Sequence, residues 1–155
     1  MARIIAYPYA TQPIAVDDCL IGTQKDNGST NQSNPTRNFA VGAVVKAGLG
    51  YTTYTALVSQ SSTNDPTAVE LKNDTGATFT FNRQAPGVYL IVSSDPNLFT
   101  SNKTAVFANV GSGKINDVIW NRLDTFRIQI ETQDITGNPD DGLFKSGSVE
   151  IRIYT

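Results

Sequence analysis

Ser148-Val149-Glu150-Ile151-Arg152-Ile153-Tyr154 closes the chain with a strict alternation of apolar and polar side chains. Successive side chains of an extended strand point to opposite faces, so Val149, Ile151 and Ile153 share one face and Glu150 and Arg152 share the other. A segment of this pattern predicts a strand with one buried face, and its strength predicts a place inside the sheet rather than at its margin.

The same period of two runs backward from this segment as far as residue 51. Phe126, Ile128 and Ile130 alternate with Arg127, Gln129 and Glu131; Phe79 and Phe81 alternate with Thr78, Thr80 and Asn82; Val69 and Leu71 alternate with Glu70 and Lys72; Tyr54, Ala56 and Val58 alternate with Thr53, Thr55 and Leu57. Val88-Tyr89-Leu90-Ile91-Val92 is continuously apolar, as a central strand would be, and Ala105 to Val110 and Val118 to Leu123 complete a set of about eight strands. The intervening segments carry turn chemistry: Asn64-Asp65-Pro66, Asn73-Asp74-Thr75-Gly76, Ala85-Pro86-Gly87, Ser94-Asp95-Pro96-Asn97 and Gly111-Ser112-Gly113. Short strands at regular spacing predict an antiparallel β-sandwich or jelly-roll knob over residues 51–155.

Residues 1–50 read differently. Pro8 and Pro13 exclude a continuous helix and bias their predecessors toward extended backbone, while Ile4, Ile5, Tyr7, Tyr9 and Ile14 supply apolar contacts for a partner surface. Residues 1–22 are therefore an extended arm. Residues 24–38 form a polar spacer with a strong turn signal at Asn27-Gly28, either a hinge or a surface loop. Residues 39–47 predict a short helix, capped by Thr36 or Asn38 and ended by Gly48 or Gly50. Two turns of helix are not stable alone, so Phe39, Val41, Val44 and Val45 must pack on the knob or on copies of themselves.

Composition narrows the function. Of 155 residues only 17% are charged, the net charge is −2, and the twelve Lys and Arg are scattered. This leaves no electrostatic footprint for nucleic acid or an anionic membrane. No apolar run is long enough to span a bilayer, and the start lacks the apolar stretch of a secretory signal. The expectation is a protein made and used without classical secretion or membrane insertion. The chain has no His and one Cys, Cys19, so no intrachain disulfide forms and the usual general base is missing; Cys19 reads as a small buried hydrophobe.

No Ser-His-Asp, Cys-His or metal-ligating constellation can be assembled, so no catalytic residue, metal or cofactor is expected. Asp140-Asp141-Gly142 lacks the spacing of a calcium loop and reads as a solvated hairpin turn. Adjacent Asp17 and Asp18 point to opposite faces of an extended segment and do not share a site. Gly111-Ser112-Gly113-Lys114 lacks the full phosphate-loop pattern and reads as a turn. Among the aromatics, which in strands are usually core or subunit-interface residues, Trp120 beside Asn121 and Arg122 is the best candidate for stacking on a sugar.

Three stretches carry a resemblance. Tyr7-Pro8 through Pro13-Ile14 leads into Asp17-Asp18-Cys19-Leu20-Ile21-Gly22-Thr23; Thr36-Arg37-Asn38-Phe39-Ala40-Val41 follows; and Tyr54-Thr55-Ala56-Leu57-Val58-Ser59-Gln60-Ser61 with Asp65-Pro66-Thr67-Ala68 opens a module that closes on Ser148 to Tyr154. Together they resemble head and tail fibre proteins of bacteriophages, especially those of marine and Bacteroidetes-type hosts, with departures at Cys19 and Ala40. The resemblance implies a non-enzymatic virion protein and a homotrimer. Three copies around an axis would bury Phe39, Val41, Val44 and Val45 together. Ile4, Ile5, Tyr7, Pro8, Tyr9, Pro13 and Ile14 would then attach the arm to a capsid or other virion protein, and the knob would face host-surface polysaccharide. A tail fibre needs a long shaft that this chain lacks, so a head fibre or capsid decoration is favoured, with a tail component as the alternative. A carbohydrate-active enzyme domain and a cellular lectin or adhesin subunit are the readings from other classes.

Overall fold

A computed structural model describes residues 19–23, 36–111 and 117–155. The chain divides into two compact units, Met1–Gly50 and Tyr51–Thr155. The arm residues Ile4, Ile5, Tyr7, Pro8, Tyr9, Pro13 and Ile14, together with Asp17 and Asp18, lie outside the described residues.

In the first unit, β1 (Cys19–Thr23) and β2 (Thr36–Ala40) pair antiparallel, with Cys19 opposite Ala40 and Thr23 opposite Thr36. Residues 24–35 of the polar spacer lie outside the described residues; its last three, 36–38, belong to β2. Helix α1 (Val41–Leu49) starts directly from the end of β2. The expected caps Thr36 and Asn38 are strand residues; Ala40 occupies the N-cap without a side-chain hydrogen bond. Phe39, expected in the helix, pairs with Leu20 in the hairpin. Gly50 ends the helix as expected, at φ 67°, a left-handed conformation that costs glycine nothing. Cys19 is exposed, not buried, because a two-stranded hairpin supplies no second layer to cover it.

The second unit is mainly β and contains all eight expected strands. These are β3 (Tyr51–Ser59), β4 (Thr67–Asn73), β5 (Phe79–Ala85), β6 (Val88–Ser93), β7 (Thr104–Ala108), β8 (Asp117–Arg122), β9 (Arg127–Gln133) and β10 (Gly147–Tyr154). They form two antiparallel four-stranded sheets, ordered β4-β3-β10-β7 and β5-β6-β9-β8. The terminal strand β10 is central, flanked by β3 and β7, and the apolar run of β6 is central in the other sheet. The sandwich is present, but it does not have the winding of a jelly roll, in which successive strands alternate between sheets. Here β3–β4, β5–β6 and β8–β9 are hairpins within one sheet.

Alternation delivers the core. Tyr54, Ala56 and Val58 of β3 and Val149 and Ile151 of β10 are buried against Phe81, Tyr89, Ile91, Ile128 and Ile130 of the facing sheet. The Tyr54 and Phe79 rings meet across the sandwich with centroids 4.0 Å apart. The two rings are tilted by 35°, and aromatic pairs in contact add to the stabilisation from area burial alone. Loop residues Leu98, Phe99, Val110, Leu143 and Phe144 join the same core. Val69 and Leu71 do not: β4 is exposed along nearly its whole length because it is an edge strand bonded only to β3. Lys72 and Asp74, 3.3 Å apart, place charge at that edge, which discourages pairing with a stray strand.

Candidate functional site

Two surfaces and one groove concentrate the chemistry of the described residues. The first surface is α1. Its sequence Val-Gly-Ala-Val-Val-Lys-Ala-Gly-Leu contains one charge, and Val44, Val45 and Leu49 are exposed. Val41, Val44 and Val45 fall at helical spacing on one stripe. Two glycines and three β-branched residues give this helix low intrinsic propensity, and nine residues are too few to hold it without tertiary contacts. The structure thus brings the expected residues Val41, Val44 and Val45 together on one element. It leaves Phe39, half-buried, on the adjoining strand.

The second surface is the outer face of the β4-β3-β10-β7 sheet. Alternation puts Glu150, Arg152 and Tyr154 of β10 beside Tyr51 of β3 and Phe107 of β7. The Arg152 guanidinium lies over both the Tyr51 and Phe107 rings, 5.0 and 4.8 Å from their centroids, and donates to Glu150. Tyr51 and Tyr154 are also in ring contact at 5.3 Å. The two tyrosines are surface aromatics rather than core.

Trp120 sits on the edge strand β8 opposite the fully buried Ile130, and is 38% exposed because no strand flanks it on the open side. The expected sugar-binding set around it is not assembled. Asn121 points to the opposite face of the sheet, and Arg122 donates to the Phe99 carbonyl at 2.6 Å, tying down a loop.

The groove lies at one end of the sandwich, where the residues after β3 meet those before β10. It is an open depression of about 490 Å³ between Ser59, Ser61, Asn64 and Asp65 on one wall and Lys145 and Ser146 on the other, with buried Phe144 behind them. The walls are tied together. The Gln60 amide donates to the Phe144 carbonyl at 3.0 Å, and the Ser146 amide donates to Ser59 Oγ at 3.1 Å. The buried Gln60 side chain donates to the carbonyls of Ser62 and Asn64 and accepts from the Gly142 amide. Ser62 and Ser146 have φ of 53° and 55°, in the left-handed region that side chains other than glycine seldom adopt. They are two of the three such non-glycine residues among the described residues, and backbone strain of this kind collects at ligand sites.

Behind the groove is a polar network that sequence reasoning missed. Asp141 receives a bidentate ion pair from Arg83, with Arg83 Nη2 2.7 Å from Oδ2, and accepts the Gly87 amide at 3.0 Å. The Tyr89 hydroxyl lies 3.2 Å from both Asp141 Oδ1 and Gln60 Oε1. In the turn expected to be solvated, Asp140 is exposed, but Asp141 is part-buried and held in an ionic clamp. The Arg83 guanidinium holds the Asp141 carboxyl below the usual carboxylate range, against the opposing effect of burial, and the Gly87 amide and Tyr89 hydroxyl reinforce it. Burial pushes the Tyr89 phenol up to about 12. Burial, with Glu70 nearby, does the same to Tyr54. None of these groups changes charge near neutral pH, so the network is a fixed scaffold rather than a proton relay. Its signal in the sequence was weak, because Arg83 and Asp141 are separated by 58 residues.

Among the described residues no cluster of three or more His, Cys, Asp or Glu is placed to hold a metal ion. Nor is any helix there long and apolar enough to cross a membrane. Compared with protein-family models, curated proteins and solved structures, the chain matches none.

Proposed function

We propose that this chain is a non-enzymatic structural protein of a bacteriophage particle, a trimeric head fibre. Its N-terminal arm binds a capsid or other virion protein, and its β-sandwich knob faces outward toward host-surface glycans. The observation that carries the reading is α1. An almost uncharged helix with Val44, Val45 and Leu49 exposed is the last element of the first unit. Apolar side chains in that position are accounted for by burial against copies of themselves around a three-fold axis. The knob, in turn, has a buried apolar core and a hydrogen-bonded polar end suited to display rather than to chemistry. Several copies on one particle would add weak contacts into useful avidity.

The reading is tested by deleting residues 1–18, which leaves β1 whole, and producing particles with the shortened protein. The expected result is an assembly that is still three chains but no longer incorporates. Incorporation at the normal level would remove the anchoring role.

A further inference from the structure

We propose that the groove between residues 59–65 and 144–146 binds a neutral, hydroxyl-rich saccharide. The assignment rests on the reading of the knob as an outward-facing, glycan-contacting module, and it moves the contact away from Trp120.

Four observations carry it. The space, about 490 Å³, falls within the range of small-molecule sites. Its polar groups are mixed in kind: the Lys145 ammonium donates, the Asp65 carboxylate accepts, and the Asn64 amide and the Ser61 and Ser146 hydroxyls can do both. One cation and one carboxylate leave the lining with no net charge, so neither an acidic nor a basic ligand is favoured. A ligand whose adjacent hydroxyls each donate and accept matches that set.

The groups are also available. Asp65 uses Oδ1 to accept the Arg83 amide at 2.6 Å, and no hydrogen bond or ion pair to Oδ2 is found among the described residues. Lys145 is held by its backbone, whose amide donates to the Val110 carbonyl at 2.9 Å, while its ammonium pairs with no carboxylate among the described residues. Finally, the walls are organised before any ligand arrives. The Gln60, Tyr89, Asp141 and Arg83 network fixes them from behind, and the left-handed Ser62 and Ser146 hold the backbone in a costly shape. Trp120 offers no comparable set, since Arg122 is committed to Phe99 and Asn121 faces away.

The test is saturation-transfer NMR on the full chain with the methyl glycosides of glucose, galactose and mannose as probes, and glucuronic acid as the charged comparator. The expected result is binding of at least one neutral glycoside with a dissociation constant of about 1 mM, weakened about tenfold or more by Asn64→Ala or Lys145→Ala. Asp65→Asn, which keeps the Oδ1 acceptor for the Arg83 amide, should weaken it as well without disturbing the fold. Failure of all three glycosides to bind overturns the proposal, as does binding that survives all three variants. A preference for glucuronic acid would refute the charge-balance argument. Loss of binding on Trp120→Ala alone would overturn the groove while leaving glycan contact by the knob intact. The mass of the assembly, read separately, reports on the fibre reading whatever the sugars do.

Discussion

Replacing Val44 and Val45 together by serine tests whether α1 organises the assembly. Serine and valine have similar intrinsic helix propensity, so the helix itself is little altered. What changes is the apolar surface available to a neighbour. Val44 is 44% and Val45 56% exposed, together about one whole valine side chain per copy. Burying that much is worth about 2 kcal/mol per chain, hence about 6 kcal/mol per trimer. At about 1.4 kcal/mol per factor of ten, the association constant falls by roughly four powers of ten. That constant scales with the square of the free-chain concentration, so the midpoint of assembly rises about 100-fold. Sedimentation velocity over a dilution series measures this directly. Chemical unfolding of the knob should be unchanged, because the substituted residues belong to the other unit. An unchanged midpoint of assembly would refute the role of α1. If the paired substitution Tyr51→Ser and Phe107→Ser shifted the midpoint instead, the outer sheet face would be the interface.

Two further predictions concern the knob. Ile151, fully buried on central strand β10 with bonded strands on both sides, has little room for collapse around a cavity. Ile151→Ala should therefore cost about 4 kcal/mol, a shift of roughly 2 M in the urea midpoint. Val69→Ala, on exposed edge strand β4, should stay within about 0.5 kcal/mol; comparable losses at both positions would contradict the sheet order. The Asp141 carboxyl is depressed in the folded state, so its contribution is complete above the unfolded carboxylate value of about 3.9 and is lost as pH falls below that toward its native value. Thermal unfolding of the wild type should thus weaken below about pH 4, and Asp141→Asn should be less stable at neutral pH with a flatter acid limb; an identical acid limb would show that the Arg83 clamp does not contribute.

The strands of the knob were legible because their signal is local. The pleat makes every second side chain face the core, so Tyr54, Ala56 and Val58, or Val149 and Ile151, declare their burial within a few residues. The central position of β6 and β10 was legible for the same reason: a continuous apolar run or an unbroken alternation is what a strand with neighbours on both sides carries. The same rule failed on β4, where Val69 and Leu71 alternate correctly and are exposed all the same. Alternation records that a strand pleats, not whether a second layer covers it, and β4 lies at the edge of its sheet. Residues 39–40 misled similarly, since a short run of mixed propensity reads as helix until hairpin pairing with residues 19–23 takes Phe39 and Ala40 into a strand.

By itself, then, the sequence determined the eight strands, most of their buried faces and an apolar segment before residue 50 too short to stand alone. Only the tertiary structure decided which strands flank which, that Asp141 is clamped by Arg83, and that Ser61 and Asp65 face Lys145 across a groove. The physical reason is range. Alternation is set by one strand's own geometry, whereas the clamp and the groove bring together side chains more than fifty residues apart, through sheet packing that no local pattern encodes.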